Sequence, residues 1–285
     1  MEKHTIKIIL LIFLSFQCLA KPQTGASSGF LFFGDSGTGE PAQFLTAGSM
    51  SRYCTKHPCQ FVLALGDNFL PRGVSSTSDP KWKTHFLDPY RALQLVFFPV
   101  LGNHDYQGNV QAQLGYTQES KWWHMPSRFY SFEKEGVQLI ALDTNQFDEE
   151  QGKWLNQVLS SSNAFWKIVY GHHPILSYGQ HGNTSELIKE LLPIIKGKAD
   201  FYLSGHDHDR QVIIEQGQPV YVVSGAAAQT RPTGSGKGTV FSSSTLGFGH
   251  FLFKKDNVTL SLVDGDGKVD FQKEFSKKNS RTASP

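Results

Sequence analysis

Short apolar runs rich in aromatic and β-branched residues recur along the chain, most of them bounded by Gly, Asn or Asp. That pattern predicts strands at Phe30–Phe33, Phe61–Leu65, Val96–Leu101, Gln138–Leu142, Lys167–Tyr170, Phe201–Leu203, Val220–Val223 and His250–Phe253. Between them lie amphipathic stretches that predict helices over Pro41–Tyr53, Trp82–Leu93, Glu149–Leu159 and Ser185–Ile195. The order predicts an α/β fold, a sheet covered by helices. Short connections such as Gln216-Gly217-Gln218 predict antiparallel pairing among the later strands. Ser224 to Ser244, rich in Gly, Ser, Ala and Thr, reads as irregular: a mobile flap beside a site or a plain surface loop, with the loop as the default. No repeat and no linker interrupts residues 29–271, so a single domain is expected over 21–276, followed by a frayed polar tail at 277–285.

Residues 1–20 read as a secretory signal. Lys3 and Lys7 supply the charge, Ile8 to Phe16 is apolar but for Ser15, and Cys18-Leu19-Ala20 places small residues before a cut at Lys21. The apolar run is shorter than the ~20 residues of a spanning helix, which favours cleavage over a membrane anchor. Lipidation of Cys18 is a lesser alternative, because Phe16-Gln17 fits poorly before such a cysteine. The expectation is a secreted or periplasmic protein with no membrane span after cleavage. Cleavage leaves Cys54 and Cys59, separated by Thr55-Lys56-His57-Pro58. They could close a short disulfide in an oxidising compartment or form half of a zinc site. No second cysteine pair exists to complete the latter.

Composition narrows the classes. At 39% hydrophobic and 13% aromatic residues the chain is too apolar for intrinsic disorder. Three cysteines in 285 residues cannot staple the fold, so a core must carry it. A net charge of +2 without a basic run argues against a nucleic-acid surface. The suggestive count is 11 His, since imidazole ligates metals and moves protons near neutral pH.

The chemistry lies where predicted strands end. Phe33-Gly34-Asp35, Leu65-Gly66-Asp67-Asn68, Leu101-Gly102-Asn103-His104-Asp105, Tyr170-Gly171-His172-His173 and Ser204-Gly205-His206-Asp207-His208 share one form: an apolar run, a glycine, then metal-ligand types. Glycine lets the backbone turn and approach a ligand closely. Ligands beyond the carboxyl ends of strands in an α/β sheet converge on one crevice. A single Gly-Asp pair is usually a turn and a lone His usually structural; five such blocks in order are hard to explain that way. Their carboxylate, amide and imidazole donors suit two borderline ions. His206 and His208 flank Asp207, so in extended backbone their rings share a face.

As a set these blocks resemble the metallophosphoesterase signature, most closely that of the small purple acid phosphatases of the tartrate-resistant type. The stretches Gly66-Asp67-Asn68-Phe69, Gly108 to Gln113, Phe201 to His208 and Ser224-Gly225-Ala226 are similar to that subfamily, and the resemblance spans residues 29–263. It implies a four-layer α/β/β/α sandwich of the calcineurin-like type. It implies a first metal held by Asp35, Asp67 and His208, with Asp67 bridging. It implies a second held by Asn103, His172 and His206. By the same resemblance His104 and His181 face the substrate, and His181 lies nine positions after His172, as the family pattern requires. The implied cofactors are two metal ions drawn from iron, manganese and zinc.

One position departs from the subfamily. Where it carries a metal-binding tyrosine, three residues after the bridging aspartate, this chain has Leu70. The expectation is two divalent ions, or an iron–divalent pair without tyrosinate absorption. The implied reaction is hydrolysis of a phosphate monoester by a hydroxide generated on the metals. Neutral Asn103 would keep the site from repelling phosphate, and His181, favoured over His104 by resemblance, would protonate the leaving group. Two alternatives stand: a phosphodiesterase or nucleotide hydrolase on the same centre, and a non-catalytic metal-binding protein. Expected partners are a phosphorylated small molecule or phosphoprotein. Asp105 is read as orienting His104 or a ligand ring, and Asp207 similarly. His173 is read as bonding locally or lining the pocket, Trp122 and Trp123 as packing in the core or covering a loop, and His57, His85, His124 and His250 as structural. Asn183-Thr184-Ser185 and Asn257-Val258-Thr259 are glycosylation sequons if the host glycosylates.

Overall fold

The computed structural model describes residues 27–254 and 256–277. The expected signal segment and the tail beyond Lys277 lie outside them. The strands are β1 (Ser28–Phe33), β2 (Phe61–Ala64), β3 (Val96–Pro99), β4 (Tyr130–Lys134), β5 (Val137–Ala141), β6 (Trp166–Tyr170), β7 (Phe201–Ser204), β8 (Arg210–Ile213), β9 (Val220–Ser224), β10 (Thr239–Ser243), β11 (Gly247–Lys254), β12 (Asn257–Asp264) and β13 (Val269–Ser276). They form a six-stranded sheet ordered β13-β12-β11-β1-β2-β3 and a seven-stranded sheet ordered β10-β8-β9-β7-β6-β5-β4.

Period-two alternation explains the layers. In the second sheet Leu139, Ala141, Ile168, Tyr170, Phe201 and Leu203 point into the core shared with Phe30, Phe32, Phe251 and Phe253 of the first. Their neighbours Ile140, Leu142, Val169 and Tyr202 face the other way. They are covered by Leu155 and Leu159 of a helix at Glu149–Ser161 and by Leu187, Leu191 and Ile195 of a helical pair at Ser185–Glu190 and Leu192–Ile195. The first sheet is covered by the helix Pro41–Cys54, which buries Ala47, Met50 and Tyr53. The result is the four-layer α/β/β/α arrangement.

All eight expected strands form. The predicted β3 stops at Pro99, which lacks the N–H to continue the ladder. The expected Trp82–Leu93 helix is shorter, a wide π turn over Trp82–Leu87 followed by one turn at Asp88–Tyr90. The helix expected over Ser185–Ile195 breaks at Leu191, where Pro193 begins a new turn. Strands β4, β8, β10, β12 and β13 were not expected. β8 begins right after the Gly205–His208 block and opens on a buried arginine; β13 is an exposed edge whose charges mask its alternation. The missed β8 also changes the pairing. Gln216-Gly217-Gln218 joins β8 to β9, which do pair antiparallel, but β9 pairs parallel with β7.

Strands β1, β2 and β3 run parallel in one sheet, and β5, β6, β7 and β9 run parallel in the other. The two sheets meet where these strands end: Gly34 N donates to Ser224 O at 2.8 Å. Cys54 and Cys59 are joined as a disulfide at the C-terminal end of the helix Pro41–Cys54, so the zinc alternative falls away.

Candidate metal centre

Each of the five glycine-led blocks leaves the end of a parallel strand, so their side chains meet at one edge of the sandwich. The glycines are there because the backbones touch. A Cβ on Gly102 would strike the Asp67 carboxylate, and one on Gly205 or Gly225 would strike Asp35. Three residues at the turns adopt left-handed backbone: Asp35 at φ 57°, Asp67 at φ 51° and His206 at φ 69°. Non-glycine residues rarely occupy this region, and such strain clusters at functional sites.

The predicted residues form one connected group. Asp35 Oδ2 accepts from His206 N at 2.8 Å, and its Oδ1 lies 3.5 Å from His208 Nε2. Asp67 Oδ1 accepts from His104 N at 2.9 Å, and its Oδ2 lies 3.6 Å from His172 Nε2 and 3.9 Å from His104 Nε2. Asn103 Oδ1 lies 3.0 Å from His172 Nε2 and 3.2 Å from His206 Nδ1. His172 Nδ1 donates to Leu65 O at 2.9 Å, which fixes the tautomer and turns Nε2 inward. His104 is oriented the same way, with Nδ1 2.6 Å from Pro71 O. His181 is exposed at the mouth, its ring 4.2 Å from that of His206.

These donors fit metal ions. Asp35 Oδ1 and His208 Nδ1 are buried with no hydrogen-bond partner, a costly state for a carboxylate and an imidazole unless another group engages them. Ligand atoms of Asp35, Asp67 and His172 lie within 4.8 Å of one another, as do those of His172, His173 and His206. Burial pushes the carboxyls of Asp35 and Asp67 up, and the charge of Asp67 raises Asp35 further. Burial pushes His172 and His206 down, and takes His208 to about 4. Every direction opposes charge on the ligand; a bound cation would reverse this for the carboxyls and reinforce it for the imidazoles, which ligate as neutral rings.

Two further acids anchor the loops. Asp105 is fully buried, and burial with the nearby Asp67 charge takes it up to about 7. It orients neither His104 nor a ligand ring, as the sequence had suggested. It accepts instead from Gly102 N at 2.9 Å, Phe69 N at 3.2 Å and Gln113 Nε2 at 2.9 Å, besides both nitrogens of Asn68. Asp207 accepts from His181 N at 2.8 Å and from the Ser177 hydroxyl, so it sets the His181 loop. His173 meets both readings offered for it: it bonds Thr144 Oγ1 at 2.9 Å, and its ring lies 4.6 Å from that of His206. Trp123 is buried against Trp82 and Phe86.

Sequence reasoning missed Arg231. The segment 224–244 is an ordered loop carrying β10, and it sets Arg231 Nη1 2.6 Å from His181 Nε2. The signal that could have found it is the continuity of Ser224-Gly225-Ala226 with the site blocks.

Residues 29–210 match the calcineurin-like phosphoesterase family. Purple acid phosphatase 7 of Arabidopsis thaliana is 32% identical over 271 residues, 80% of this chain and 83% of its own. Tartrate-resistant acid phosphatase type 5 of Oryctolagus cuniculus is 31% identical over 295 residues, 87% of this chain and 91% of its own. Among solved structures, GAP50, the anchor in the inner membrane complex of Plasmodium, superposes with a TM-score of 0.82 at 26% identity over 90% of each chain. The chain belongs to the calcineurin-like phosphoesterase family, among the relatives of the purple acid phosphatases. It is a metal-dependent phosphoester hydrolase. Among the described residues no helix is long and apolar enough to cross a membrane.

Proposed function

We propose that the protein is a phosphomonoesterase of acid-phosphatase type built on two metal ions. Asp35, Asp67 and His208 would hold one ion and Asn103, His172 and His206 the other, with Asp67 shared. The observation that carries this is the buried Asp35 carboxylate, whose Oδ1 faces His208 Nε2 at 3.5 Å and has no hydrogen-bond partner. Bound there, the ions would acidify a water and neutralise phosphoryl oxygens.

The chain's own residues do the rest. Neutral Asn103 offers an oxygen without adding a negative charge. His104, with Nδ1 donating to Pro71 O, turns Nε2 toward Asp67, where a protonated ring would donate to a phosphoryl oxygen. His181, exposed at the mouth, is placed to give the leaving alkoxide its proton, and Asp207 holds its backbone for that. The Cys54–Cys59 disulfide supports an oxidising compartment, so we place the mature domain, residues 21–276, outside the cytoplasm, secreted or periplasmic. The substrate is a phosphorylated small molecule or phosphoprotein.

The test is turnover of p-nitrophenyl phosphate against bis-p-nitrophenyl phosphate by metal-loaded protein. Preference for the monoester supports the reading; preference for the diester moves the centre to phosphodiester chemistry. A non-catalytic reading has one observation in its favour, the likeness to GAP50, an anchor in the inner membrane complex of Plasmodium. Metal-loaded protein that hydrolyses neither ester would support it.

A further inference from the structure

We infer that Arg231 is a substrate-binding residue, a guanidinium clamp that selects the dianionic terminal phosphoryl of a monoester. The glycine-rich loop exists to deliver it. This rests on the phosphomonoesterase reading above and names what sets its substrate class.

The loop is fixed at several points. Arg231 N donates to the carbonyl of His208 at 2.8 Å, so its backbone docks on a proposed ligand residue. Thr233 N donates to Ser244 Oγ at 2.9 Å, and Gly234 N to Tyr178 O at 2.8 Å. Tyr178 Oη donates to Lys237 O at 2.9 Å, and Gly236 lies so close to the Tyr178 ring that a Cβ would collide with it. A loop held this way presents Arg231 in one place.

Among the described residues the guanidinium has no acidic partner. Among the described residues Arg128 pairs with Asp143 at 3.1 Å and Arg210 with Asp270 at 2.6 Å, while Arg231 makes no such pair. Its contact is His181 Nε2 at 2.6 Å. A guanidinium cannot accept, so in this contact the lone pair of His181 Nε2 is the acceptor. A full positive charge thus stands beside a proposed substrate-facing imidazole with most of its donors unspent. The planar fork of arginine suits two oxygens of one phosphoryl group. When an anion takes the fork, His181 Nε2 is released and is free to carry the proton it gives the leaving group. A diester, with one negative charge fewer on its phosphorus, gains less from the clamp.

The test is calorimetric binding of inorganic phosphate to metal-loaded protein, wild type against Arg231→Gln and Arg231→Lys, with metal content measured alongside. Loss of a charge-assisted contact predicts about 10- to 100-fold weaker phosphate binding in Arg231→Gln, partly restored in Arg231→Lys, with metal content unchanged. KM for p-nitrophenyl phosphate rises in step, and kcat/KM for the diester falls less. Phosphate affinity of Arg231→Gln within about twofold of wild type, at intact metal content, overturns the clamp. Equal losses for both esters overturn its selectivity. A wild type that binds phosphate through Arg231 but hydrolyses no ester upholds the clamp and sinks the catalytic reading instead.

Discussion

Asp105 takes both the backbone N–H and the side-chain amide of Asn68 on one oxygen, Oδ2, at 3.1 Å each. The same oxygen accepts from Gly102 N at 2.9 Å. One buried carboxylate therefore ties the turn that follows Asp67 to the turn that precedes Asn103, and the spacing between the two candidate ligands depends on it.

Asp105→Asn keeps the shape but puts an amide N–H₂ where donors converge. Unmet buried donors cost about 1–3 kcal/mol each, so the variant should lose stability. Loss of a supporting group around a metal site costs about 10- to 100-fold in metal affinity. Thermal unfolding and metal-binding titration of the variant check both. Unchanged metal affinity would mean that Asp105 serves packing alone.

Leu70 is buried, and its N–H donates to Gly37 O at 2.6 Å. An aliphatic side chain offers no anionic oxygen to a metal. Iron-loaded protein should show no visible tyrosinate charge-transfer band. A visible spectrum of the purified, iron-loaded chain decides this, and such a band would contradict the assignment of Leu70 to that position.

Arg210 on β8 is fully buried, and its Nη1 and Nη2 meet the two carboxylate oxygens of Asp270 on β13 at 2.9 and 2.6 Å. The pair joins the two sheets two residues beyond the proposed ligand His208. Asp270→Ala leaves a buried charge unpaired and should cost about 3–5 kcal/mol. Chemical denaturation measures it.

His250 is buried, with Nε2 2.9 Å from Pro58 O inside the disulfide loop. Burial lowers its pKa from 6.5 to about 4. As pH falls through 6.5 the unfolded chain takes up a proton that the folded one refuses. Stability is thus full above pH 6.5 and is lost between there and about pH 4, on the order of 3 kcal/mol in all. His250→Gln keeps a donor for Pro58 O but cannot titrate. The melting temperature of this variant should fall less steeply with pH across that window than that of wild type.

The expected strands and the meeting of the five blocks were legible because one local form, apolar run then glycine then ligand type, recurs with each parallel strand. Such repetition carries information that no single Gly-Asp pair does. What was not legible depends on distance. Arg210 hides β8, because a charge that finds Asp270 sixty residues on looks like surface in sequence. Arg231 sits in a segment whose composition reads as loose, and its order comes from Tyr178 and His208, partners that composition cannot show. Asp105 was placed near the ligands correctly, but its partners are backbone amides, which leave no mark in sequence.

The central claim is that this cluster hydrolyses phosphate monoesters with two metal ions. The most direct measurement is turnover of p-nitrophenyl phosphate by chelator-stripped protein as iron, manganese or zinc is added back in counted equivalents. The account predicts no activity without metal, a rise that saturates at about two ions per chain, and its loss in His206→Ala. Undiminished turnover by stripped protein, or by His206→Ala, would contradict it.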